Sequence, residues 1–479
     1  MTLAELKKQD LWKHFLELEQ IPRESGNEEG VRRWLLAWAK EHGFEAIGDD
    51  AGNVIIRAKA TPGYENAPSV ALQGHMDMVC VKREGSTHDF TKDPIDVEVD
   101  GDWLCARDTS LGGDDGISIA IALTILTDPK AQHGPIECIF TKSEETGMDG
   151  ANGIEGKNIR SRLLVNLDSE DEGILYIGCA GGMHTTGTMK VRWEAVPLDW
   201  KGYKLTVSGL LGGHSGGEIH KQRANAMKLA ARLLVKRGHL MLSGWEGGTK
   251  MNVIPSSTVV TFAIPESDAA GLEQDLKKLS SDLKEEYALN DPGITLTLQE
   301  VDLPVKAAFE KQSKQFVRAM FLAPHGVYAM SETLKGIVET SSNLAIVSMA
   351  DGIFSVKASH RSSVASRKHL VSDLMAETLK EAGMEVVQDA EYPSWTPDPK
   401  SALAKKAAQA YKDYTGKDMV VTAIHAGLEC GIINSKVPGM DSVSCGPQMR
   451  AIHSVDEHLS ISSSERTLGF VKHLLATLK

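Results

Sequence analysis

Apolar residues recur with two different spacings along this chain, and each spacing predicts a type of element. In the stretch VRRWLLAWAKEHG, Val31, Leu35 and Trp38 return at helical intervals, with Asn27 in an N-cap place and Gly43 ending the helix. Continuous apolar runs at Val70–Gln73, Ile136–Thr141 and Leu163–Leu167 predict buried strands. Between the first two runs, residues 117 to 127 read as an apolar helix. Strand, helix and strand in that order predict an α/β sheet with helices on its faces.

After GILYIGCAGG (173–182) the pattern changes. From Lys201 to Ala390, strands such as KLTVSG, STVVTFAI and GIFSVKAS are interleaved with longer helices at 224–237, 269–289, 307–322 and 364–382. The proline-rich stretch YPSWTPDPK (392–400) reads as a return linker, and the remainder alternates helix and strand again. The expected architecture is two-domain. An α/β domain with a central mixed sheet flanked by helices, built from 1–183 and 394–479, is interrupted by an inserted α+β domain at 184–393.

Composition agrees with this picture. The 479 residues exceed one ordinary domain, and 42% hydrophobic with 24% charged residues is the balance of a soluble globular protein. No apolar run is long enough to span a bilayer, and the amphipathic N-terminal helix lacks the parts of a signal peptide. A net charge of -13 argues against general affinity for nucleic acid or an anionic membrane, so neither is expected as a partner. Cys80, Cys105, Cys138, Cys179, Cys430 and Cys445 form no C-x-x-C pair. Thiols scattered through apolar stretches suit core positions in a reducing, cytoplasmic compartment.

Candidate chemistry gathers where the predicted strands end. Val70–Gln73 runs into His75 and Asp77, which lie two apart and so point the same way in an extended chain. Asp77 can then orient His75 through its second ring nitrogen. LGGDDG places Asp114 and Asp115 at the entry to a helix, where an aspartate is also an ordinary N-cap. Ile136–Thr141 leads to Glu144 and Glu145, the next strand delivers Asp168, and His453 stands on a loop before the last helix. In an open α/β sheet the C-terminal strand edge is where ligands bind. Two histidines and three carboxylates, one of them bridging, would hold two divalent ions. Oxygen and nitrogen donors suit zinc, manganese or cobalt.

The order H-x-D, loop Asp, Glu-Glu, Asp and late His resembles the M20 metallopeptidases. HMDMV, LGGDDG, SEETGMDGA, NLDSEDEGILYIGCAGG, SGLLGGHSGGEIH and HAGLECG are similar to its aminoacyl-histidine dipeptidase branch. That resemblance implies a catalytic α/β domain and an inserted lid. It also implies two divalent ions, Zn2+ foremost with Mn2+ or Co2+ as alternatives, and a dipeptide substrate such as Xaa-His. His75 and Asp168 would bind one ion, Glu145 and His453 the other, and Asp114 both. Asp77 would orient His75, Glu144 would be the general base, and His214 of GGHSG would stabilise the oxyanion. Asn252, Arg361 and Gly427 match substrate-contacting positions. Asp115 stands where relatives often have another residue, so which aspartate bridges depends on alignment. HSVDEH departs from HSPDE, and His458 reads as a neighbour of the helix cap. The lid could also carry a homodimer contact. Competing expectations are an N-acyl amino acid deacylase, a carboxypeptidase, and a metal-binding scaffold without catalysis.

Overall fold

The structure, a computed structural model, describes residues 2–479. The chain divides into two compact units: 1–179 with 395–423 and 428–479, and 180–394 with 424–427.

The first unit is built on an eight-stranded mixed sheet. Its centre is the neighbouring strands Ile136–Thr141, Val70–His75 and Leu163–Asn166. Val70 pairs with Ile136 and Leu163 in parallel register, so all three strands end at one edge. Asp441–Ser444 extends the parallel set beside Leu163–Asn166, while Val54–Ala58 pairs antiparallel with Ile136–Thr141. Every residue of Val70–His75 and of Ile136–Thr141 is buried, which is why these strands read as continuous runs.

Helix Gly113–Thr127 is apolar all round because it is covered all round. It packs on strand Val70–His75 and against helices Asp10–Leu18 and Ile461–Thr477. Gly74 permits this approach: a Cβ there would collide with the side chains of Ser118 and Asp115. The helix of the VRRWLL stretch spans Glu29–Glu41, with Glu28 rather than Asn27 at its N-cap. All six cysteines are free. Among the described residues, no helix is long and apolar enough to cross a membrane.

The second unit carries a nine-stranded antiparallel sheet with Val338–Ala350 and Ile353–Ser362 near its middle. Helices Ala226–Leu234, Ala269–Glu286, Glu310–Leu322 and Ala365–Glu381 contribute to one apolar core with the strands, including Trp245, Phe262, Phe316 and Phe354. The rings of Phe316 and Phe354 stack at 3.9 Å. Glu385–Tyr392 is a largely exposed edge strand, which explains its polar sequence.

Candidate metal centre and active site

Three parallel strands end side by side, and each hands a ligand-type side chain to the same edge. Val70–His75 ends on His75, Ile136–Thr141 leads through Ser143 to Glu144 and Glu145, and Leu163–Asn166 leads to Asp168. Ser143 takes a left-handed conformation, φ 51°, which turns the chain sharply before the glutamates. Asp114 and Asp115 enter helix Gly113–Thr127 with non-helical backbone, and their shared peptide bond is cis. Gly112, at the N-cap place, makes no side-chain cap. His453, at φ 58°, lies on the loop joining the paired strands Met449–Arg450 and His458–Ser460. His458 is a strand residue opposite Arg450, and Ser460 caps the last helix.

These side chains converge. His75 Nε2 lies 3.1 Å from Asp114 Oδ1 and 3.5 Å from Asp168 Oδ1. His453 Nε2 lies 3.1 Å from Asp114 Oδ2 and 2.9 Å from Glu145 Oε1. The two oxygens of Asp114 therefore face different imidazoles, one flanked by Asp168 and the other by Glu145. Asp115 Oδ2 is committed to protein donors: it accepts from the His75 backbone N–H at 3.0 Å and from the Ser118 hydroxyl at 2.6 Å.

Asp77 fixes the other face of His75. Its Oδ1 is 3.3 Å and its carbonyl 3.1 Å from His75 Nδ1, so Nδ1 carries the proton and Nε2 is left for the cluster. The Asp77 carboxylate also accepts from Ser25 Oγ at 2.7 Å and from the backbone N–H groups of Glu144 at 3.0 Å and Glu145 at 3.3 Å. Burial alone would raise its pKa, but His75 and these donors hold it at about 2.

Acid exceeds base here. Burial, aided by neighbouring carboxylates and opposed by His75, pushes Asp168 up to about 7 and Glu429 up to about 8. Glu144 and Asp115 are raised well above the usual carboxylate range for the same reasons. Hydrogen bonds to Asp114 and Glu145 drive His453 up to about 10. A buried excess of negative charge of this kind is relieved by cations. Ligand-type atoms of His75, Asp114 and Glu145 lie within 4.8 Å of one another, as do those of His75, Asp115 and Asp168. Asp115 Oδ1 is buried without a hydrogen-bond partner. The donors are oxygen and nitrogen, so the residues fit divalent metal ions.

Two carboxylates beyond the predicted ligands belong to this region. Glu429 accepts from Gln73 Nε2 at 2.5 Å and Thr141 Oγ1 at 2.6 Å. Glu457, only 3% exposed, accepts from the backbone N–H groups of Leu111 (2.8 Å), Gly112 (3.0 Å) and Asp114 (3.3 Å). It thereby ties the loop of His453 to the loop of Asp114. Both lie inside motifs visible in the sequence, HAGLECG and HSVDEH, but their partners are distant in the chain.

In the second unit, His214 stands in a Gly-rich loop whose Ser215 N–H donates to the Asn252 carbonyl at 2.8 Å. Asn343 Nδ2 donates to the carbonyls of Met251 (3.1 Å) and Val253 (2.9 Å), bracing the turn that carries Asn252. His214 Nδ1 accepts from the backbone N–H groups of Gly216 at 3.2 Å and Gly217 at 3.1 Å. The proton of the neutral ring therefore sits on Nε2, which is left as a donor. Burial, and then the charge of Arg361, lower the His214 pKa and keep the ring neutral. Arg361 lies on strand Ile353–Ser362; its Nη1 donates to Tyr392 Oη at 3.2 Å, and its Nε is buried without a partner. The segment 424–427, which carries Gly427, belongs to this unit, and a Cβ at Gly216 would meet the His425 carbonyl at 2.6 Å. The loops of His214 and Gly427 are thus in close contact.

The chain matches the model of peptidase family M20/M25/M40 over residues 71–477. It is 40% identical to the cytosol non-specific dipeptidase of Escherichia coli over 466 residues, 96% of each protein. Its structure resembles that of the aminoacylhistidine dipeptidase from Vibrio alginolyticus, with a TM-score of 0.93 and 36% identity, covering 98% of this chain and 97% of that one. The aminopeptidase PepT from Bacillus cereus shares the fold, with a TM-score of 0.58 and 16% identity over 98% of both chains. Sequence, fold and cluster of ligand-type side chains agree that the chain belongs to the M20/M25/M40 family of metallopeptidases.

Proposed function

We propose that this protein is a dipeptidase working with two divalent ions, Zn2+ foremost with Mn2+ or Co2+ as alternatives. The observation that carries the reading is the placement of Asp114, whose two oxygens each face a different imidazole. A carboxylate so placed can be shared by two cations. His75 and Asp168 would hold one ion, Glu145 and His453 the other, and Asp114 both. Ions bound there would polarise the peptide carbonyl and acidify the attacking water.

The remaining work falls to the chain's own side chains. Asp77 keeps His75 in the tautomer that presents Nε2. Glu144 takes the proton of the water and delivers it to the leaving amine. His214, donating from Nε2, stabilises the carbonyl oxygen as it gains charge. Arg361 binds the substrate's free C-terminal carboxylate, a group that an interior peptide bond cannot offer, and Asn252 and Gly427 complete the contacts. Dipeptides, Xaa-His among them, are supported as the substrate class by the names of the two relatives matched over nearly their whole lengths. A cytoplasmic location is supported by the name of one of them and by six free thiols.

The test is activity of metal-stripped protein on a panel of Xaa-His dipeptides, other dipeptides, longer peptides and N-acyl amino acids, with Zn2+, Mn2+ or Co2+ restored separately. Hydrolysis of dipeptides only after metal return is expected. Preference for N-acyl amino acids would make the protein a deacylase, and C-terminal trimming of longer peptides a carboxypeptidase. Metal uptake with no hydrolysis of any panel member would leave a non-catalytic scaffold.

A further inference from the structure

Loops that carry metal ligands must be held, and the segment Glu19–Glu28 reaches three of them. Arg23 and Glu19 are each 1% exposed. Arg23 Nη1 donates to the Asp77 carbonyl at 3.3 Å, while Nη2 donates to the Gly112 carbonyl at 2.6 Å and to Glu19 Oε1 at 2.7 Å. The same Asp77 carbonyl lies 3.1 Å from His75 Nδ1, and Gly112 is two residues before Asp114. A side chain at Gly112 would collide with the Arg23 guanidinium, and its φ of 75° is one that glycine adopts freely. Two residues beyond Arg23, Ser25 Oγ donates to Asp77 Oδ2 at 2.7 Å. Glu28 accepts from the backbone N–H of Ser143 at 3.0 Å and its hydroxyl at 2.8 Å, beside Glu144.

Packing alone does not account for this arrangement. A buried ion pair is often matched or bettered in stability by apolar residues of similar volume. What apolar residues cannot do is bridge two backbone carbonyls, a task suited to a flat guanidinium with several fixed donors. We propose that Arg23, balanced by Glu19, is a positioning residue of the metal centre. It locks the loop of His75 and Asp77 to the loop of Gly112 and Asp114, so that His75 and Asp114 meet the same ion. This inference rests on the metal-centre reading above.

The test uses full-length, metal-stripped protein titrated with Co2+, read by its visible absorption bands and by competition with a chelator. Arg23→Met alone leaves the buried Glu19 carboxyl without its partner and risks unfolding. The double variant Glu19→Met/Arg23→Met removes both charges and keeps most of the volume, so it is expected to fold with a melting temperature near wild type. It should bind Co2+ about 10- to 100-fold more weakly, with altered band intensities. Arg23→Lys keeps the charge pair but cannot span both carbonyls, and should weaken Co2+ binding by a smaller factor. Wild-type affinity and spectrum in a folded double variant would overturn the inference. If the double variant fails to fold, wild-type behaviour of Arg23→Lys would overturn it. A wild-type protein that takes up no Co2+ would overturn the metal-centre reading itself, and this inference with it.

Discussion

Replacing Glu144 with glutamine keeps the shape of the side chain and removes its capacity to accept a proton. The local structure predicts that little else changes. The turn carrying Glu144 is held by backbone groups, since the N–H of Glu144 donates to Asp77 Oδ1 and that of Glu145 to Asp77 Oδ2. The contacts of His75 with Asp114 and Asp168, and of His453 with Asp114 and Glu145, do not involve the Glu144 side chain. Metal content should therefore stay at the wild-type level. Loss of a general base costs roughly 10²–10⁴ in rate, equivalent to ~3–5 kcal/mol in the barrier. The variant also removes one of several crowded carboxylates, so the metal-free protein should be no less stable than wild type. The assay is kcat and KM on a dipeptide at saturating metal, paired with metal content by elemental analysis and urea melting of the stripped protein. Near-normal kcat with full metal content would refute the base assignment. Loss of an ion would instead make Glu144 a ligand.

Other predictions follow from the same geometry. Glu457→Gln turns an amide NH2 toward backbone N–H groups that now meet a carboxylate, at about 1–3 kcal/mol for a donor left without an acceptor. Urea denaturation should register that loss, together with a fall in kcat/KM; unchanged stability and kinetics would remove Glu457 as the tie between the Asp114 and His453 loops. Arg361→Lys should raise KM for dipeptides by about ten- to a hundredfold, the value of a charge-assisted contact of ~1.5–3 kcal/mol. A dipeptide amide, which has no carboxylate, should show a much smaller change, and an equal effect on both substrates would sink the clamp. Burial, with lesser help from Lys228 and His184 respectively, lowers the pKa of His325 and His360 to about 3. Since the unfolded chain protonates these rings near 6.5, folded stability is complete above that pH and falls as pH drops toward the folded value. At about pH 5 the loss is ~2 kcal/mol per ring. His360→Gln should remove one such increment from the difference in urea stability between neutral and mildly acidic pH, and an unchanged difference would show that the ring is not held neutral.

The chain's own pattern carried a good deal of this. Fully buried strands read as unbroken apolar runs because both faces of the central sheet are covered, and the strands at Val70, Ile136 and Leu163 are found where the runs predict them. Helix Ala269–Glu286 begins at the residue the spacing indicates, and helices Glu310–Leu322 and Ala365–Glu381 end within a residue of expectation. Residue types at strand ends, H-x-D and Glu-Glu, were legible as candidate ligands because strand ends are where such side chains meet a substrate.

Distance in space was not legible. Whether Asp114 or Asp115 faces both imidazoles depends on how helix Gly113–Thr127 enters the sheet edge, where Gly74 leaves room for Asp115 and Ser118 donates to it. Glu457, Glu429 and Arg23 look like ordinary charged residues in the sequence, because a buried charge is defined by partners that lie far away in the chain. Neighbouring residues and their spacing determine elements and local chemistry, since those depend on short-range periodicity. Which loops are fastened together, and which proton sits on which nitrogen of His75 or His214, is decided only when folding brings donors and acceptors within hydrogen-bond reach.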